Sequence, residues 1–392
     1  MTTPEVSTSQ LPWDAADPYP LYEAYRREGD VVWDATAQAW LVLGYHAARE
    51  VLVGQQWTSD PRANQAVAAY RLFTAEIVQT NMLFTDGPTH DRLRHAVRDV
   101  FSRSFISQLT EGIESLCKQT VSAIDVDEPF DVMSQIAWPL PVVVVAAWLG
   151  LDPAQCQVLR EYSPAVIRLL SGITDTDTLH EGLAASTALI TEFLPAAADR
   201  RVNPGDDLLS YLATAPELSL DEVVTTAILI AVAGHETTAN LLGAALTRLL
   251  TPTAEDTRLA DHIDPADPTV LSELLRLDSP VQAAARTATA DHHLANVHIR
   301  NGESVLVCIA AANRDPHLYP APNQFLPDRH GPPPLTFGHG PHYCLGATLA
   351  RLETSTALRH ILARRPVLTD TPTWRDTPAI RGPQHMPARF TV

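Results

Sequence analysis

Cysteine is scarce in this chain. Cys117, Cys156, Cys308 and Cys344 lie far apart, with no CxxC pair among them. That excludes a disulfide scaffold and a zinc site of the CxxC type. Basic residues are also few. Lys and Arg total 28 against 46 Asp and Glu in 392 residues, a net charge of −18. General nucleic-acid binding rests on neutralising phosphates, so no nucleic-acid partner is expected. Long apolar runs are missing too. The most apolar stretches, Pro141 to Leu151 and Val223 to Gly234, fall well short of the ~18 residues that a bilayer span needs. No basic start followed by an apolar stretch appears, and no fixed-period repeat. These absences predict a cytoplasmic protein with reduced thiols and no membrane partner.

What is present points to a packed protein. Apolar residues make up 45% and charged residues 19%, which excludes global disorder. Helical signals dominate, so the expected class is mainly α with minor β, in one domain over residues 1–392. Pro18 to Gly29 reads as a short amphipathic helix. Val31 to Trp33 and Trp40 to Leu43 read as strands. Helix follows helix from Pro88 to about Arg200. A second β region spans His298 to Cys308, with Asn301-Gly302 as its hairpin turn. Ser219 to Leu250 is the best-marked element. Ser219 and Glu222 form a capping box, and Thr251-Pro252 ends the run. Such a helix is ~46 Å long and should cross the middle of a large domain. Its first half is apolar all round, yet Ala233-Gly-His-Glu-Thr-Thr238 sits in its middle. Asp315 to Pro334 holds seven prolines. Its apolar anchors, Phe325 and Leu326 with Phe337 just beyond, favour ordered irregular structure over a linker.

The strongest chemical signal is Phe337-Gly338-His339-Gly340-Pro341-His342-Tyr343-Cys344-Leu345-Gly346. Cys344 follows a glycine loop and precedes a helix, Ala347 to Leu362. The positive end of that helix should lower the thiol pKa, and loop amides can tune the sulfur. Those are the needs of a thiolate metal ligand. An inert buried cysteine, or zinc on His339, His342 and Cys344, are the alternatives.

This loop resembles the haem-binding loop of the cytochrome P450 family, Phe-x-x-Gly-x-Arg/His-x-Cys-x-Gly. Phe337, Gly340, His342, Cys344 and Gly346 fill its fixed positions, and Gly338 lies within it. Other family motifs follow in family order. Glu273-Leu-Leu-Arg276 resembles the Glu-x-x-Arg helix, which implies a buried ion pair that also holds Arg329. Ala233-Gly-His-Glu236-Thr237 resembles the mid-helix acid and alcohol. The resemblance implies that Glu236 and Thr237 deliver protons, which cleavage of an O–O bond consumes, and that Ala233 lies against the cofactor. His90-x-x-x-Arg94, Arg286 and His342 resemble the groups that hold the two haem propionates.

The resemblance implies the P450 fold, with haem b between the long central helix and the helix after the cysteine loop. It implies a monooxygenase with Cys344 as axial iron ligand. Electrons would come from NAD(P)H through a ferredoxin reductase and a ferredoxin, because no flavin or iron–sulfur motif is present. Arg92, Arg94, Arg98 and Arg103, with Arg351, would form a basic docking face. A monomer is expected. Leu229, Ile230, Ala233, Val281 and Ala284 should line the substrate pocket, with Tyr70, Phe73 and Phe84 as candidate caps. Such a lining suits a mainly apolar, small to medium molecule, for hydroxylation or epoxidation. Other readings are ring coupling, desaturation or rearrangement, a peroxide-driven member, and a haem sensor or carrier without turnover.

Overall fold

A computed structural model describes residues 17–64, 78–171, 176–253, 255–375 and 380–392. The N-terminal part holds α1 (Tyr19–Arg26), β1 (Val31–Asp34), β2 (Ala39–Val42), α2 (Tyr45–Val53) and β3 (Trp57–Thr58). A run of helices follows: α3 (Gly87–Val97), α4 (Arg103–Gln108) and α5 (Thr110–Ser122), then α6 (Pro139–Leu149) after the short strand β4 (Phe130–Asp131). Next come α7 (Pro153–Ser171), α8 (Thr176–Val202), α9 (Leu208–Thr214), α10 (Leu220–Leu250) and α11 (Pro268–Leu277). The strands β5 (Ala284–Ala288), β6 (His292–Leu294), β7 (Val297–Ile299) and β8 (Ser304–Val307) precede the short helix α12 (Ile309–Ala312). The cysteine helix α13 (Ala347–Ala363) leads to β9 (Val367–Leu368), β10 (Thr373–Trp374), β11 (Pro383–His385) and β12 (Pro387–Arg389). This is the expected class, mainly α with minor β.

The long helix α10 organises the helical core. Ser219 Oγ accepts the Glu222 N–H at 3.2 Å, and the Glu222 carboxylate accepts the Ser219 N–H at 2.8 Å, so the capping box is closed on both sides. Val223, Ala227, Ala231, Leu242, Leu246 and Leu249 bury into one cluster with residues of α6, α8 and α13. A second cluster forms where Val42, Val305 and Val307 of the sheet pack against Tyr45 and Tyr319. The main sheet has the order β1-β2-β8-β5-β3, with β2 and β8 parallel. No helix among the described residues is long and apolar enough to cross a membrane.

The second β region differs from expectation. Asn301-Gly302 is a turn, and Gly302 takes φ +84° there, but its flanking strands do not pair with each other. β7 pairs back with β6, while β8 pairs with β5 and β2. The hairpin therefore turns at residues 295–296. A turn dipeptide marks a reversal of the chain; the partners of each strand are set by packing elsewhere.

Candidate functional site

The site begins as a stripe on α10. That helix is buried over most of its length, yet Leu229, Ile230, Ala233, Gly234 and Thr237 are only half-buried. Their spacing places them on one face. A methyl group added at Gly234 would touch only Val145, at 3.6 Å. Thr237 and Thr238 hydroxyls donate back to the carbonyls of Ala233 and Gly234, each at 2.8 Å. The hydroxyls thus satisfy themselves within the helix, as Thr can.

α13 packs against α10, and the loop ahead of it carries the cysteine. Cys344 precedes its first turn, and its side chain is exposed. The Cys344 N–H donates to the Phe337 carbonyl at 2.8 Å, which closes the loop. Gly338 and Gly340 take φ +74° and +75° in that loop, and a Cβ at Gly340 would strike the Leu52 carbonyl at 2.6 Å. Gly346 lies beside the sulfur, where a Cβ would sit 3.9 Å from it. Phe337 is half-buried beneath the Arg351 guanidinium, 5.0 Å from its ring centre. The expectation of a lowered thiol pKa does not hold for the free thiol. Although the residue has open surface, the protein packed around it desolvates the thiol and pushes Cys344 up, while the amide of Gly346, Arg94 and the amide of Ala347 pull it back without winning. A cation bound to the sulfur would ionise it outright.

Basic groups gather at the rim. His90 is 2% exposed, and its ring lies 4.3 Å from that of His342. The His342 Nε2 faces Asp86 at 3.0 Å and the Ser59 hydroxyl at 3.2 Å. Burial alone would raise Asp86, but bonds from His342, Thr58 and the Ser59 amide bring it down to about 2. Arg94 donates to the Tyr343 carbonyl at 2.5 Å, and Arg286 to the Ala285 carbonyl at 2.7 Å. Among the described residues neither arginine has a carboxylate within ion-pair distance. Burial lowers both. Two half-sheltered guanidinium groups without an anion suit a ligand with two carboxylates.

Glu236 lies behind the stripe. It is 3% exposed, and its Oε2 accepts from Arg375 Nη1 at 2.9 Å. The Arg375 guanidinium also covers the Trp138 ring, 4.6 Å from its centre. Sequence reading missed Arg375. It lies 139 residues from Glu236, and no local spacing signals such a pair. Asp86 and Ser59, the partners of His342, were missed for the same reason.

The Glu-x-x-Arg residues meet as expected. Arg276 donates to both Glu273 oxygens at 2.7 Å, and Arg329 Nε donates to Oε1 at 3.0 Å. The basic face is altered. Arg92 forms a two-pronged pair with Glu222, at 2.5 and 3.2 Å, and so spends its charge on the start of α10. His339 turns to Arg49 at 3.0 Å, away from the partners of His342. Among the described residues no three His, Cys, Asp or Glu side chains gather to hold a metal, which removes the zinc alternative. Val281, Ala283 and Ala284 are half-buried where β5 begins. Phe84 packs against the cluster of Val78, Leu169 and Leu179. Tyr70 and Phe73 lie outside the described residues.

The residues present fit a haem. A half-open stripe on a buried helix gives a flat ligand its wall, an exposed sulfur with two amide donors gives iron its ligand, and two anion-free arginines with two imidazoles suit the propionates. Comparison with known proteins gives the same answer. The family model described as Cytochrome P450 matches residues 268–375. Cytochrome P450 109 of Bacillus spizizenii is 32% identical over 89% of this chain and 85% of its own. The 6-deoxyerythronolide B hydroxylase of Saccharopolyspora erythraea is 30% identical over 90% of each. The crystal structure of CYP109E1 from Bacillus megaterium in complex with testosterone superposes with a TM-score of 0.87, at 28% identity, over 98% of this chain and 100% of that one.

Proposed function

This chain belongs to the cytochrome P450 family of monooxygenases, and from that premise we propose that it hydroxylates or epoxidises a mainly apolar organic molecule of small to medium size. Electrons come from NAD(P)H through a reductase and a ferredoxin. The enzyme is one domain, monomeric and cytoplasmic. The observation that carries the reading is the pairing of the open stripe on α10 with the exposed sulfur ahead of α13. Apolar lining from Leu229, Ile230, Val281 and Ala284 supports the substrate class. So do two relatives, one named for hydroxylating 6-deoxyerythronolide B and one bound to testosterone.

Haem, when bound, supplies the reductive activation of dioxygen. The chain's own residues do the rest. Cys344 holds the iron through its sulfur, and the Gly346 and Ala347 amides temper the charge on it. Arg94, Arg286, His90 and His342 hold the propionates. Leu229 and Ile230 orient substrate and exclude water. Thr237 and Glu236 hold and pass protons, the hydroxyl at the open face and the carboxylate behind it. Arg98, Arg103 and Arg351 steer an acidic ferredoxin.

The test is the absorption spectrum of the purified, reduced protein under carbon monoxide, beside Cys344→Ala. A strongly red-shifted Soret band in the wild type, lost in the variant, is expected. An imidazole-type band or the absence of haem from folded protein would overturn the assignment.

A further inference from the structure

Three consecutive residues lead from the buried side of α10 to its open stripe. Successive residues of a helix step by ~100°, so His235, Glu236 and Thr237 span about 200° of its circumference. His235 is 3% exposed, Glu236 is equally buried, and Thr237 stands in the stripe. The His235 Nδ1 lies 2.8 Å from the Ala231 carbonyl oxygen. A carbonyl only accepts, so Nδ1 carries the hydrogen and fixes the tautomer. Nε2 of the neutral ring is then a bare lone pair, and it faces Glu236 Oε1 at 3.9 Å. Arg375 occupies the other carboxylate oxygen. Among the described residues Oε1 has no hydrogen-bond donor. One added proton converts this facing of two lone pairs into an attraction. A small rotation of either group, or one water, closes the remaining gap.

We infer that His235 reloads Glu236 with the protons that the proposed monooxygenation consumes. The Nε2–H bond of the imidazolium breaks and an O–H bond forms on Glu236 Oε1. A water then brings the next proton to Nε2, the one ring nitrogen not held by the Ala231 carbonyl, and Glu236 passes its proton round the helix to the Thr237 side. The purpose of the proton rests on the proposed function; the exchange itself is a property of the helix. The charged groups facing His235 are Glu236 on its own helix, Arg375 after β10 and Arg160 on α7. Burial lowers the imidazolium pKa; Glu236 and the Ala231 carbonyl oppose it, and Arg375 and Arg160 add to it. A buried imidazolium of this kind gives up its proton readily. Arg375 is a positioning residue: it fixes Oε2 and leaves Oε1 to His235.

The test is an NMR titration of histidine-labelled protein, reduced under carbon monoxide, with the His235 signal assigned by its loss in His235→Gln. Glu236→Gln should lower the His235 midpoint by about one pH unit or more, a tenfold change in proton affinity. Arg375→Gln should raise it. Unchanged midpoints in both variants, or a wild-type ring that stays neutral down to about pH 5, would overturn the inference. The second measurement is hydrogen peroxide released per dioxygen consumed, driven by a surrogate ferredoxin, its reductase and NADPH. His235→Gln should raise that ratio severalfold, and a wild-type ratio with a wild-type pH profile counts against the relay. The Glu236→Gln titration keeps His235 in place, so it decides the matter even where His235→Gln does not fold. The carbon monoxide band of the same sample reports separately on the haem–thiolate reading.

Discussion

Glu273→Ala tests the support beneath the site. Glu273 is 4% exposed and accepts four hydrogen bonds: two from Arg276, one from Arg329 Nε and one from the Leu326 N–H. Removing it leaves Arg276, 2% exposed, with only the carbonyls of Asn313, Pro322 and Gln324. Arg329 keeps only the carbonyls of Pro320, Ala321 and Gln324. Two sheltered cations then lack a counter-charge. Breaking one side of a buried pair costs ~3–5 kcal/mol, a large share of the ~5–15 kcal/mol that holds a typical protein. Glu273→Gln keeps shape and part of the bonding, so its cost should be smaller, ~1–3 kcal/mol. Urea unfolding followed by circular dichroism reads the stability, and haem per chain reads the site. The expected order is wild type, then Gln, then Ala, with little haem in Ala. Full haem and an unchanged urea midpoint in Glu273→Ala would refute the reasoning. The pH dependence has a definite sign. Burial would raise Glu273, but Arg276, the Leu326 amide and Arg329 hold it below the usual carboxylate range. Its stabilisation is therefore present above the unfolded value of ~4.3 and is lost as pH falls through the lower folded value.

Three further outcomes follow. Thr237→Ala should keep haem and the carbon monoxide band but divert electrons from product to hydrogen peroxide, read as peroxide per NAD(P)H; unchanged coupling would remove Thr237 from proton handling. Gly382→Ala should lower the urea-derived stability by ~1–3 kcal/mol, because its methyl would collide with the Asn240 side chain on α10. The Arg375 N–H donates to the Gly382 carbonyl at 3.0 Å, so the same variant should disturb the Glu236 pair. Reduction by ferredoxin should slow as salt rises. Arg92→Ala should leave that slope unchanged, because Glu222 already neutralises Arg92, whereas Arg103→Ala should flatten it.

Local chemistry made much of this protein legible in its sequence. The capping box at Ser219 and Glu222 and the glycine loop around Cys344 depend on residues a few positions apart, so spacing reveals them. Glu273 and Arg276 share a helix turn for the same reason. Long-range partners stayed hidden. Nothing near Asn301-Gly302 states that β7 and β8 pair with different strands. Nothing near Arg92 shows that Glu222 takes its charge from the proposed docking face. The Cys344 thiol shows the same limit in energetic form: the helix N-terminus is visible in the sequence, but the desolvation by the surrounding protein that outweighs it is not.

Arg375 carries this limit into the chemistry. The resemblance carried by Ala233-Gly-His-Glu-Thr pairs Glu236 with Thr237 in proton delivery. In the fold its Oε2 faces the other way, toward a C-terminal arginine held above Trp138. Glu236 can serve the open face only by turning about the helix, away from an ion pair made in a water-poor place. In the proposed relay, proton supply is therefore coupled to the packing of the C-terminal hairpin against α10, through Gly382, Asn240 and Arg375. A change in that hairpin, remote in sequence from every haem contact, should alter coupling before it alters haem content.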